Sequence, residues 1–293
     1  MADPLVFITG GTGFIGFQVV AATLKARYRV RLSIRKPEQE QVVRERYPEF
    51  ASKIETVIIP DITKSEAFKD ALNNGSDVKT DYVDPAVRGT ESILYAAMKF
   101  PQIKKVIVVS SVLALLPVTA LLEKEVSVKD NTGEVIPINL DMAFPDGFIG
   151  HGLKYSASKI LAHQATREFL KKNRPNYILI TFHPTFVLGE SLVQQSAEDI
   201  DGINALFWQS LFSEKPRIST AWVHVQDVAD AHVKALEVPV ESGKEFLLSA
   251  PTSPGRRPPT LSRPSIPPWD ANWNLHLRDD GGSIPPPQTR LSA

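Results

Sequence analysis

The sequence predicts an α/β fold built as a doubly wound parallel sheet. Three observations carry that reading. Short apolar, β-rich runs alternate with segments at helical spacing. The runs are continuously apolar, as strands buried on both faces require. A glycine cluster joins the first run to the first helix.

The elements follow in order. "LVFIT" (5–9) is a strand, and "FIGFQVVAATLKA" after the glycines has helical spacing. "YRVRLSI" (28–34) reads as a second strand with "PEQEQVVRERYPEF" as its helix, and "IETVIIP" (54–60) as a third with "SEAFKDAL" behind it. "DPAVRGTESILYAAMKF" is a fourth helix, with Asp84 placed to cap it and Pro85 in its first turn. "KKVIVVSSV" (104–112) is a strand, "YSASKILAHQATREFLKK" a long helix and "NYILITF" (176–182) a further strand. Residues 251–293 hold about ten of the 23 prolines and keep neither helix nor strand periodicity, so a loosely attached or disordered tail is expected after a body of residues 1–250. Trp269 and Trp273 fit that reading poorly.

Composition narrows the functions. The chain has 293 residues, 43% hydrophobic and 23% charged, with 33 basic and 33 acidic side chains. That balance suggests neither nucleic acid nor an anionic membrane as partner. There are no cysteines, so disulfides, thiolate nucleophiles and thiolate metal sites are excluded. "MADPLVFITGG" lacks the pattern of a signal peptide, and no run has the length and apolarity to span a bilayer. A cytoplasmic location is the expectation.

The glycine cluster carries chemistry. In "TGGTGFIG", Gly11-Thr12-Gly13-Phe14-Ile15-Gly16, with Gly10 before it, is the dinucleotide fingerprint between a strand and a helix. Missing β-carbons let the backbone turn tightly and approach a pyrophosphate seated on the helix N-terminus; a plain tight turn is the alternative. At the end of the second strand an NAD site needs an acid to hold the ribose hydroxyls. Here stand Arg35 and Lys36, and guanidinium suits a 2′-phosphate. NADP (as NADPH) is therefore the expected cofactor. Asp61, with Ile62 beside it, falls where an adenine edge would pass, and equally where a turn would.

Tyr155 and Lys159 stand four apart and share a helix face. A free phenol has a pKa of about 10, and a fixed ammonium nearby makes a phenol a readier proton donor. Ser110 and Ser111 end the strand "VIVVSS" at the carboxyl edge, where ligands of such sheets bind.

Taken together, "FITGGTGFIG", "SIRKP", "DPAVRGTESIL", "VVSSV", "YSASK", "HPTFVLG" and "WVHVQDVADAHVKALE" resemble the extended short-chain dehydrogenase/reductase family. The similarity is greatest to its dihydroflavonol reductase, cinnamoyl-CoA reductase and fungal aldehyde/ketone reductase branch. It covers about residues 3–250 and implies a Rossmann-like sheet with a small C-terminal substrate lobe (segments about 183–250). It also implies NADPH-dependent reduction of a ketone or aldehyde. Ser111, with Ser110 as alternative, then polarises the carbonyl, Tyr155 donates the proton, and Lys159 positions ribose and tyrosine. "HPTFVLG" matches the family's nicotinamide loop, with Pro184 at its turn and Thr185 and Val187 following. His224 and His232 read as structural, and no metal site is expected. Pocket residues are expected from 113–153 and 190–222.

Two departures from the family stand out. A strand reading roughly "VIHVASP" should precede the fourth helix, beside the first strand. The interval "NNGSDVKTDYVDP" holds no apolar run. Either residues near 78–83 form a poor strand, or "VIVVSS" slides beside the first strand and moves Ser111 by about 4.8 Å. After "FLLSAP" the substrate lobe gives way to Pro/Arg-rich sequence, leaving it incomplete. A catalytically impaired NADP-binding remnant is therefore the alternative to a working reductase. A sugar-nucleotide epimerase or dehydratase is a further one, disfavoured by Arg35.

Overall fold

The computed structural model describes residues 3–60, 77–123, 126–194, 196–212 and 221–250. The tail, the helix expected over "SEAFKDAL", and Asp61 and Ile62 lie outside them. Strands β1 (Leu5–Ile8), β2 (Arg29–Ile34) and β3 (Ile54–Ile58) form one parallel sheet in that order. Strands β4 (Lys105–Val109), β5 (Ile178–Pro184) and β8 (Glu245–Leu248) form a second. β6 (Phe186–Leu188) and β7 (Trp222–His224) make a third, parallel ladder. The helices are α1 (Phe14–Lys25), α2 (Glu38–Arg46), α3 (Asp84–Met98), α4 (Gly147–Asn173), α5 (Gly202–Leu211) and α6 (Val225–Glu237). This is the doubly wound α/β architecture that the alternating pattern predicts.

One face of the first sheet is dry. Val6 and Ile8 of β1 and Val30, Leu32 and Ile34 of β2 alternate inward against α1, Val43 of α2 and Ala229 of α6. Ile180 and Phe182 of β5 pack with Val228, Ala231 and Ala235 of α6, and Phe14 and Ile15 from the first turn of α1 reach the same cluster. Helices α1 and α6 thus tie the two sheets together from one side. On the second sheet's other face, Leu94 and Ala97 of α3 meet Phe169 of α4 and Leu179 of β5. Lys105 adds a polar tie between the sheets and their roof. Its ammonium donates to the carbonyls of Ala235, Leu236 and Val238 at 2.8, 2.9 and 2.6 Å, where α6 leaves them unpaired.

The interval before α3 follows neither course that the sequence suggested. Residues 77–83 are no strand, and among the described residues β4 does not pair with β1. Residues 79–83 form a π-turn that runs straight into α3. Asp77 starts it: its carboxylate accepts from the Thr80 N–H at 2.8 Å, and its carbonyl from the Asp81 N–H at 3.1 Å. Val78, Tyr82 and Val83 then fall on the inner face, a helical spacing, and Tyr82 hydrogen-bonds His151 Nδ1 at 2.9 Å. Asp84 is consequently not the cap of α3, because the chain is already helical when it arrives.

Among the described residues β1 pairs only with β2, and β4 only with β5. On the far side of β1, Leu5 and Phe7 are 42% and 48% exposed. The neighbouring positions on that face are Arg29 and Arg31 of β2, both paired to Glu55 of β3, so among the described residues an ion cluster covers that face.

Candidate active site

The phosphate cradle is built by backbone. Gly10 takes φ +68°, a left-handed turn that glycine adopts without strain, and its carbonyl accepts from Gly13 N–H at 3.1 Å. A β-carbon on Gly16 would stand 2.0 Å from the Gly10 carbonyl oxygen and 2.8 Å from Gly11 Cα. Only glycine lets the helix pack so closely on the loop. A β-carbon on Gly11 would press on Leu32 at 2.7 Å. Gly13 differs: it is exposed, and its β-carbon would meet only Gly10 O, at 3.5 Å. It is the N-cap of α1, and no side chain caps that terminus. The first amides of α1, from Phe14, Ile15 and Gly16, are thus left for an anion. Such a cradle fits a dinucleotide pyrophosphate.

Arg35 and Lys36 follow β2 directly and are exposed. Their backbone amides donate to one oxygen of Gln39, at 2.8 and 3.2 Å, and the Gln39 amide donates to Thr12 Oγ1 at 3.3 Å. One side chain therefore fastens the Arg35 corner to the glycine loop. The sequence reading missed Gln39; a glutamine in the first turn of the second helix, four residues after Arg35, was the available signal.

At the other end, Ser111 is buried and caps a 3₁₀ turn over Val112–Leu115, its Oγ accepting from Leu113 N–H at 3.2 Å. Its strand end is anchored twice to β5. Ser110 N–H donates to Phe182 O at 2.8 Å, and His183 Nδ1–H donates to Ser111 O at 3.0 Å. Tyr155 and Lys159 lie in α4, both half-buried, with the Lys159 ammonium 5.4 Å from the Tyr155 ring centroid. Ser156, next to Tyr155, donates to Leu113 O at 3.5 Å, so α4 rests against the Ser111 turn.

"HPTFVLG" is more regular than the loop expected of it. Pro184 ends β5, Thr185 bonds Leu248 O through both N–H and Oγ1, and Val187 lies in β6, buried. The segment is held to α1 by Gln18, whose amide donates to Glu190 O at 3.2 Å. His224 Nδ1 caps α6 by accepting from Gln226 N–H, and His232 Nδ1–H donates to Val228 O. The loop expected to border the pocket packs Ile136, Ile138, Leu140 and Phe144 against Leu153, Ala157 and Ile160 of α4.

A polar cluster lies behind Ser111. Arg167 grips both oxygens of Glu245, at 2.6 and 2.8 Å, and His163 Nε2 stands 3.3 Å from Oε1. Burial would raise the Glu245 carboxyl, but His163 and the Arg167 guanidinium outweigh it and hold it well below the ordinary range. Burial, then the neighbouring His163, push His183 down to about 4, so it is neutral in the fold.

Residues 6–248 match the NAD dependent epimerase/dehydratase family. The chain belongs to that family. Nicotinamide-dependent oxidoreduction is the chemistry its named relatives share. Among relatives, the ketoreductase sphI of Aspergillus fumigatus is 37% identical over 268 residues, covering 85% of this chain and 80% of that protein. A putative NADPH-dependent methylglyoxal reductase of Candida albicans, GRP2, is 27% identical, covering 83% and 77%. In three dimensions the yeast methylglyoxal/isovaleraldehyde reductase Gre2, solved with NADPH, superposes with a TM-score of 0.66 at 23% identity. It covers 84% of this chain and 78% of its own. No described helix is long and apolar enough to cross a membrane.

Proposed function

We propose that the chain is an NADPH-dependent reductase of a small-molecule ketone or aldehyde. The observation that carries the reading is the pairing of a glycine-only cradle, closed at Gly16, with Arg35 held to that cradle through Gln39. The named activities of the fungal relatives support it.

Hydride for the carbonyl carbon is the chemistry NADPH would supply when bound. The chain's residues manage the oxygen and its proton. Ser111 Oγ already accepts from Leu113 N–H, so its own hydroxyl hydrogen is left to donate to the carbonyl oxygen. Tyr155 gives its phenolic proton to that oxygen as the C–H bond forms, and Lys159 holds the ribose and sets positive charge beside the ring. Pro184, Thr185 and Val187 form the wall beyond Ser111, fixed to β8 and β7. Arg35 and Lys36 would hold the 2′-phosphate.

A second reading has an observation of its own. The open edges of β1 and β4 flank the crevice where cofactors of such sheets bind, which favours a protein that holds NADP and turns nothing over. One experiment separates the two. NADPH absorbance is followed with a panel of aldehydes and ketones for the unmodified protein and Tyr155→Phe, alongside thermal midpoints with and without NADPH. Turnover lost in Y155F supports the reductase. A thermal shift with no turnover supports the remnant, and neither shift nor turnover sinks both.

A further inference from the structure

His163 of α4, His183 of β5 and Glu245 of β8 meet in the interior, each under a tenth exposed. One donor atom from each lies within 4.8 Å of the others. The histidine rings meet edge to face, with centroids 4.5 Å apart. Of their four ring nitrogens only His183 Nδ1 has a hydrogen-bond partner. His163 Nε2, though 3.3 Å from Glu245 Oε1, is off the alignment a hydrogen bond needs. Buried nitrogens left unpaired are costly, and two imidazoles facing one carboxylate share a single acceptor set.

We propose that His163, His183 and Glu245 form a buried site for a divalent transition-metal ion, zinc above all. Two imidazole nitrogens and one carboxylate oxygen are a zinc donor set. The surroundings are those of a metal's outer shell. His183 donates Nδ1–H to the Ser111 carbonyl, which fixes its tautomer and leaves the buried Nε2 lone pair without a partner. Arg167 holds Glu245 through both oxygens and leaves Oε1 a lone pair toward His163. Donors on a tetrahedral ion with bonds of about 2.1 Å stand about 3.4 Å apart, so ring rotations that draw them in by up to about 1.4 Å complete the site. Asn131, bonded to the Glu245 backbone, and the Glu134 carbonyl, which takes Arg167, lay a covering loop over it. A metal there would staple three elements and, through His183, hold the turn that carries Ser111.

The test uses the full, untagged chain, stripped with chelator and titrated with zinc alone. One equivalent is expected to bind, and the thermal midpoint to rise with the logarithm of free zinc. Cobalt in its place should give the visible absorption of a tetrahedral site. His163→Gln and Glu245→Gln should each abolish the zinc-dependent rise while calcium changes nothing. The proposal is overturned if zinc gives no rise, or if both variants keep it undiminished, as surface histidines would allow. Should neither variant fold, zinc-edge X-ray absorption of the unmodified protein decides. Imidazole scattering from two ligands upholds the site, and an all-oxygen shell without imidazole overturns it.

Discussion

The two glycines Gly13 and Gly16 allow the cradle to be dissected by one methyl group each. In Gly16→Ala the new carbon would stand 2.0 Å from the Gly10 carbonyl oxygen, where contact begins near 3.4 Å, so loop and helix must part by more than 1 Å. Both neighbours are backbone, and neither can rotate away. Overpacking of this kind costs about 1–3 kcal/mol, and a 1 Å displacement of binding backbone costs about 10²-fold in function. Gly13→Ala places its carbon 3.5 Å from Gly10 O in the space a pyrophosphate needs, with φ −95° acceptable to alanine. Urea unfolding and NADPH titration by calorimetry read the pair. G16A should lose both stability and NADPH. G13A should keep stability within about 1 kcal/mol yet bind NADPH at least about tenfold more weakly. Wild-type NADPH affinity in G16A, or in a G13A that folds normally, would refute the cradle.

Other outcomes follow from single contacts. Arg35→Ser should weaken NADPH by about 10–100-fold, leaving NADH unchanged in parallel titrations, because charge-assisted bonds of about 1.5–3 kcal/mol are lost. Lys105→Met strips three carbonyls at the end of α6 of their donor and should lower unfolding free energy in urea by about 1–3 kcal/mol without altering NADPH affinity. His183, held at about 4 against 6.5 when unfolded, is neutral in the fold. The unfolded chain therefore binds the extra proton between those values. Stability present above pH 6.5 should fall as pH drops toward 4, by at most about 3.4 kcal/mol. Unfolding in chelator across that range should show the slope, and His183→Gln should flatten it.

Much of the fold was legible because its signals are local. β1 to β5 are apolar runs, and the glycine loop announces itself between strand and helix. The segment 77–83 was not, although its signal was present: an aspartate at 77 capping inward-facing positions 78, 82 and 83. Its two aspartates and lysine hide that face from a pattern of continuous apolar residues. β6 and β8 are too short for period-two alternation to show. Gln39 could have been suspected one turn after Arg35. The cluster of His163, His183 and Glu245 could not, because its members lie on three elements joined only by the fold.

In the proposed reductase the glycine loop and Tyr155 serve one nicotinamide. The most direct measurement is mass spectrometry of the alcohol formed with NADPH deuterated at the transferable position. One deuteron on the former carbonyl carbon, lost in Y155F while NADPH still stabilises that variant, is the expected result. NADPH binding with no deuterium in any product, or label transfer undiminished in Y155F, would contradict it.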